Sequence, residues 1–148
     1  MILPDVNLLV FAHNERSPKH QAALAWWKQT MTSGQVGLPW VVAIGFVRVV
    51  TSAAALSEPL RPPAALDKVQ SWLGQPNVQI VEPGPHHLEI IRRLFEATGV
   101  AAGLTTDTHL AALAIEHQCE LHSNDSDFSR FPGLRWHNPL SQADGGSH

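Results

Sequence analysis

The sequence predicts an α/β fold, a three-layer α/β/α sandwich around a central, mostly parallel sheet of four to five short strands. Three observations lead there. Apolar runs of three or four residues alternate with stretches whose apolar residues recur at helical spacing, the pattern of strand–helix–strand crossovers. Pro18, Pro39 and Pro85 stand where helices should begin, and Gly34 and Gly99 where they should end. No internal repeat, heptad pattern or linker interrupts the alternation. Residues 1–140 are therefore expected to form one domain, and residues 141–148 a flexible tail.

Each element has a local reason. Ile2 to Pro4 reads as a short strand, after which Asp5 caps a helix carrying Leu8, Leu9, Val10 and Phe11. Ser17-Pro18 opens a second helix through Ala22, Trp26 and Trp27 that ends near Gly34. Val36 to Leu38 is a brief strand, and Pro39 starts a strongly apolar helix through Val42, Phe46 and Val50. The Pro-rich stretch Ser57 to Pro63 is a surface loop, followed by a helix with Leu66, Val69, Trp72 and Leu73 at helical spacing. Val78 to Val81 is a strand, and Pro85 opens a helix that Gly99 stops. Thr105 or Thr106 is expected to cap a helix running to about Gln118. Cys119 to His122 is the next strand, Ser123 to Asp127 a polar turn, and Leu134 to Trp136 a last edge strand.

Composition narrows the function classes. Ten basic residues against thirteen acidic ones give a net charge of −3, so no global positive field advertises nucleic-acid binding; a local patch or a partner must supply it. The single cysteine, Cys119, excludes a disulfide framework and a thiolate metal site within the chain. The N-terminus meets an acid at Asp5 without a basic region, unlike a secretory signal, and no apolar run approaches the roughly 20 residues needed to span a bilayer. A cytoplasmic protein is the expectation. The histidines lack metal-helix spacing and read as structural; the tryptophans follow helical core spacing. There is no GxGxxG, P-loop or nucleophile elbow.

The informative residues are Asp5, Asp107 and Asp125, each at a place where a strand or short connection hands over to a helix or turn. Each alone is explained as a helix cap, worth roughly 0.3–1 kcal/mol. Together, on parallel strands, they would gather at one sheet edge, where function collects in open α/β sheets. Carboxylates packed so closely raise one another's pKa unless a cation sits among them. A divalent, oxygen-loving ion is the simplest remedy, so all three are candidate metal ligands and catalytic residues. Asp127 either joins them or bonds its own turn. Asn7 either orients a ligating carboxylate or starts a helix, and Thr106 either only caps or also supports Asp107. Asn124 and Ser123 are explained equally by site or turn chemistry. Arg48, the one charge on an apolar helix, either binds a substrate phosphate or partner carboxylate, or is merely solvated.

At this point the residues resemble a known family. Met1-Ile2-Leu3-Pro4-Asp5-Val6-Asn7-Leu8-Leu9 resembles the opening of PIN domains, and Thr105 to Ala114 their third acidic motif. Asn124-Asp125-Ser126-Asp127-Phe128 with Phe131 to Trp136 is similar to the closing motif. The stretch from Pro39-Trp40 to Arg48-Val49-Val50-Thr51 is similar to that of mycobacterial-type VapC toxins. The resemblance covers nearly the whole chain. It implies a Mg²⁺- or Mn²⁺-dependent endoribonuclease acting on RNA, inhibited by a VapB-type antitoxin, usually a homodimer, and meeting DNA only through the antitoxin. It puts Asp5, Asp107 and Asp125 on the family's acidic positions. Many PIN domains carry a glutamate in the middle of the third helix, where this chain has Ile44-Gly45-Phe46. Gly45 ligates nothing, so a catalytically degenerate PIN domain that keeps only antitoxin binding is the alternative. A phosphatase using Asp5 as nucleophile would want a second aspartate where Asn7 stands.

Overall fold

The structure, a computed structural model, describes residues 1–99 and 102–141. Apart from Ser141, the tail expected at 141–148 lies outside them. Strands β1 (Ile2–Pro4), β2 (Val36–Leu38), β3 (Val78–Ile80), β4 (Glu120–His122) and β5 (Trp136–His137) form one sheet in the order β3-β2-β1-β4-β5. Every pairing is parallel, with Ile2 opposite both Val36 and Glu120. Helices α1 (Val6–His13) and α2 (His20–Ser33) join β1 to β2; α3 (Trp40–Val50) and α4 (Pro62–Leu73) join β2 to β3. The return runs through α5 (His87–Thr98) and α6 (Thr105–Glu116) to β4.

The chain steps outward from β1 to β3, then crosses back to β4 and β5. Crossovers are right-handed, so the two directions send their helices to opposite faces of the sheet. Packing agrees: α1 lies against α2 and α3, α3 against α4, and α5 against α6. This is the expected three-layer sandwich. Its buried centre is built from Leu3, Val36, Leu38 and Leu121 of the sheet, with Leu8, Leu9, Phe46, Val50 and Leu113 from the helices. Cys119 is buried with them as a small apolar residue. Between β1 and β4 the direction of winding reverses, which opens a crevice at the carboxyl ends of those two strands. Among the described residues, no helix is long and apolar enough to cross a membrane.

Several boundaries move for identifiable reasons. Asp5 caps α1 as expected, accepting from the Val6 N–H at 2.7 Å. Helix α2 begins at His20, because Ser17 first closes a turn by accepting from the Lys19 N–H at 3.1 Å. Helix α5 likewise starts at His87, two residues after Pro85, and Gly99, in the left-handed region at φ 69°, ends it. Neither Thr105 nor Thr106 caps α6: a 3-10 turn, Ala102–Leu104, runs straight into the helix, and Leu104 takes the cap position. The last strand is Trp136–His137 rather than Leu134 to Trp136. Trp40 departs from core spacing, standing 47% exposed at the start of α3 beside Ile44 at 55%.

Gly45 has a packing role. A Cβ there would stand 2.8 Å from Val6 Cγ2, so the glycine lets α3 close on the first turn of α1. Alanine would gain about 1 kcal/mol in helix propensity, but overpacking costs about 1–3 kcal/mol. Val6, β-branched in a helix, cannot turn aside cheaply. Gly45→Ala is therefore expected to lower the urea unfolding midpoint, whereas the same change in a Val6→Ala background raises it. A stabilised single variant would refute the close contact.

Candidate metal centre

The polar turn after β4 organises the site. Ser123 is completely buried, and its hydroxyl is saturated. It donates to Asp5 Oδ2 at 2.7 Å and accepts from the Asp125 N–H at 3.0 Å and from Asn7 Nδ2 at 3.4 Å. Its backbone is fixed as well, the N–H donating to the His137 carbonyl and the carbonyl accepting from Trp136 Nε1, 3.1 and 3.0 Å respectively. One side chain thus ties the end of β1 to the turn after β4 across the switch point. Asn7 spans the same turn, its Oδ1 accepting from the Asn124 N–H at 3.4 Å. Asn124 in turn accepts from Asn138 Nδ2 at 3.3 Å.

Beyond Asn124 the chain enters the 3-10 turn Ser126–Arg130. Asp125 caps it, its Oδ1 accepting from the Asp127 N–H at 2.9 Å. Phe128 and Phe131, both buried with ring centroids 5.9 Å apart, pin the turn to the core. Asp107, in the first turn of α6, faces this turn from the neighbouring element. Carboxylate oxygens of Asp107, Asp125 and Asp127 all lie within 4.8 Å of one another. Among the described residues this is the one group of His, Cys, Asp and Glu compact enough to surround an ion. An all-carboxylate donor set suits a hard, oxygen-seeking cation.

Asp5 is a neighbour of that group rather than a member, although its charge acts on Asp107. Both of its oxygens are engaged, Oδ1 by the Val6 N–H and Oδ2 by the Ser123 hydroxyl. Burial raises its pKa above the ordinary carboxylate value, outweighing the lowering by those two hydrogen bonds, and Asp125 adds a smaller upward push. Asp107 is pushed further, to about 6, first by burial and then by the charges of Asp5, Asp125 and Asp127. Four acidic groups therefore sense one another electrostatically, which is the situation a bound cation relieves.

The remaining candidates separate. Thr106 is exposed and, among the described residues, its side chain forms no hydrogen bond, so it lends Asp107 no support. Arg48 is exposed on the α3 face that carries Trp40 and Ile44 and, among the described residues, pairs with no acid. Arg130, which carried no expectation, lies 3.9 Å from Asp127 through its Nε. The histidines are structural where buried. His87 and His109 share a hydrogen bond of 2.9 Å between α5 and α6, and His122 bridges Trp26 and Glu120.

The raised pKa of Asp107 has a signed consequence for stability. The unfolded carboxyl titrates near 3.8 and the folded one near 6. Below both values the group is neutral in either state and costs nothing. Between them the unfolded chain ionises first, so stability falls as pH rises; above about 6 the penalty is complete. In chelator, Asp107→Asn is therefore expected to be more stable than the parent, by a margin that opens between these pH values and then levels. Solvent screening of a half-buried group limits that margin to about 1–2 kcal/mol. Chemical unfolding across that range checks it, and a margin independent of pH would contradict the electrostatic account.

Residues 2–134 match the family model described as PIN domain. The chain is 44% identical over 143 residues to Ribonuclease VapC33 of Mycobacterium tuberculosis, covering 96% of this chain and all of that protein. It is 39% identical over 140 residues to Ribonuclease VapC37 of the same species, covering 94% and 97%. Its fold is similar to that of a chain in the crystal structure of VapBC2 from Rickettsia felis bound to a DNA fragment from their promoter. The TM-score there is 0.68 at 19% identity, over 93% of this chain and 98% of the matched one. With its acids at the switch point of this five-stranded sheet, the chain belongs to the PIN-domain family, among relatives of the VapC type.

Proposed function

We propose that this protein is a Mg²⁺- or Mn²⁺-dependent endoribonuclease. On this reading it is the toxin half of a toxin–antitoxin pair, acts in the cytoplasm and is neutralised by a VapB-type antitoxin. The observation that supports this most is the meeting of Asp107, Asp125 and Asp127, with Asp5 beside them, in a chain 44% identical to a ribonuclease. Asp107, Asp125 and Asp127 would hold the ion directly. Asp5 would complete its surroundings with lone pairs left over from its two hydrogen bonds. The chemistry such an ion supplies when bound is activation of water for attack and compensation of charge on the phosphodiester oxygens. Ser123, Asn7 and Asn124 keep the carboxylates in register, as outer partners do in metal sites. No general base from the protein is required.

Partners follow the same reasoning. The acidic edge suits an antitoxin that presents positive charge there, and DNA would be reached only through that antitoxin. The exposed α3 face of Trp40, Ile44 and Arg48 suits a second copy of the chain. A second reading, a degenerate PIN domain that binds its antitoxin without cleaving RNA, is favoured by Gly45. Its test must respect the packing found above: Gly45→Glu alone forces a side chain against Val6, so the acid is restored together with Val6→Ala.

Incubation of a total RNA pool with and without Mg²⁺, mapping every new end, tests the leading reading. New 5′-phosphate and 3′-hydroxyl ends are expected, absent in chelator and absent with Asp107→Asn or Asp5→Ala. Ser123→Ala is expected to lose roughly 10–100-fold in activity while remaining folded. A silent parent beside an active Val6→Ala/Gly45→Glu variant would select the degenerate reading.

A further inference from the structure

The charge balance of the acidic edge leaves a question that a single divalent ion does not answer. Four carboxylates stand there, and one such ion offsets only half of their charge. An RNA phosphodiester entering the crevice brings a further negative charge into a partly desolvated place, where like charges repel more strongly than in water. A positive side chain at the edge would offset that repulsion.

Arg130 fills that role geometrically. Among the described residues it is the one lysine or arginine within 4.0 Å of any of the four carboxylates, with Nε 3.9 Å from Asp127 Oδ1. Its backbone cannot wander. It closes the short 3-10 turn that Asp125 caps and that Phe128 and Phe131 anchor in the core on either side of it. Two acids of the compact group and this arginine therefore ride on one fixed turn. The side chain is 54% exposed and, among the described residues, is tied only by an i,i+3 contact at a distance that contributes little stability. Its planar fork matches two phosphate oxygens, which a lysine or a water cannot reproduce.

We propose that Arg130 is a substrate-binding residue that rests near Asp127 in the free protein. When RNA enters, it turns onto a non-bridging oxygen of the phosphodiester at the acidic edge. The inference rests on the ribonuclease reading above and adds to it a named contact. It also sets opposite signs for two ligands. Removing Arg130 takes a positive charge away from RNA and, at the same time, away from the neighbourhood of the metal ion.

The test compares the parent, Arg130→Ala and Arg130→Lys by fluorescence anisotropy with a short fluorescein-labelled single-stranded oligoribonucleotide. Binding is followed in Ca²⁺ over a range of salt, and Mn²⁺ is titrated separately. Arg130→Ala is expected to bind RNA about tenfold more weakly. Its dependence of log K on log salt should be shallower by about 0.7, the signature of one lost phosphate contact on a single strand. Its Mn²⁺ affinity should rise by about two- to threefold, with an unchanged melting temperature. Arg130→Lys should keep the salt slope and recover only part of the affinity. A parent-like salt slope in Arg130→Ala, or weakened Mn²⁺ binding with a lowered melting temperature, would make the arginine a structural ion pair and overturn the proposal. A parent that shows no salt-dependent RNA binding would remove the ribonuclease reading itself, a result distinct from failure at Arg130 alone.

Discussion

Carboxylates brought together at one sheet edge repel, and apart from Arg130 beside Asp127 the described residues restrain them by something other than opposite charge. The restraint is neutral hydrogen bonding centred on Ser123. Its buried hydroxyl engages Asp5 on one side of the switch point and the backbone of Asp125 on the other. A hydroxyl in that position is satisfied only when both sides are in register, so β1, β4 and the turn after β4 are fixed as a unit. The helix cap at Val6 and the self-cap of the turn at Asp127 add fixed N–H donors without adding charge. The acids are held by geometry, and their mutual repulsion remains as stored electrostatic energy.

That stored energy accounts for an otherwise uneconomical arrangement. Among the described residues Asp107 has no hydrogen-bond donor comparable to those of Asp5, and it feels three acidic neighbours. A folded protein optimised for stability alone would not keep it, since a carboxyl held at a raised pKa subtracts from stability at neutral pH. The neutral and apolar parts of the molecule compensate: the buried sheet, the Phe128 and Phe131 anchors, and the close approach of α1 and α3 at Gly45. Strain confined to one edge and tolerated by a well-packed remainder is the usual mark of a site kept for function.

How far the sequence alone revealed this depends on the range over which each feature is determined. Asp5 as a cap, Pro39 before α3 and Gly99 after α5 are decided within a few residues, and all were legible. That Asp107 and Asp125 meet with Asp5 nearby required only parallel strands and was legible, but Asp5 stands beside the compact group rather than in it. Asp127 was ambiguous because a turn's direction follows from which of its neighbours enter the core, and only the burial of Phe128 and Phe131 settles that. Thr106 was misread because the 3-10 turn before α6 moves the cap to Leu104, leaving Thr106 on the exposed side of the first turn. Ser123 looked like turn chemistry, since nothing local distinguishes a turn serine from one whose hydroxyl is clamped by residues more than a hundred positions away.

Gly45 shows how one packing decision redistributes the chemistry. Where the resemblance to PIN domains implies a glutamate on the third helix, this chain has Gly45, whose missing side chain lets α3 close on Val6, the residue immediately after Asp5. A carboxylate at that point would press its Cβ against the Val6 side chain, so it needs a smaller residue at position 6. The third member of the compact acidic group comes instead from Asp127, on the turn after β4. Close packing at Gly45 and the compact acidic group therefore rest on different elements, α1 with α3 for the one, α6 with the turn after β4 for the other.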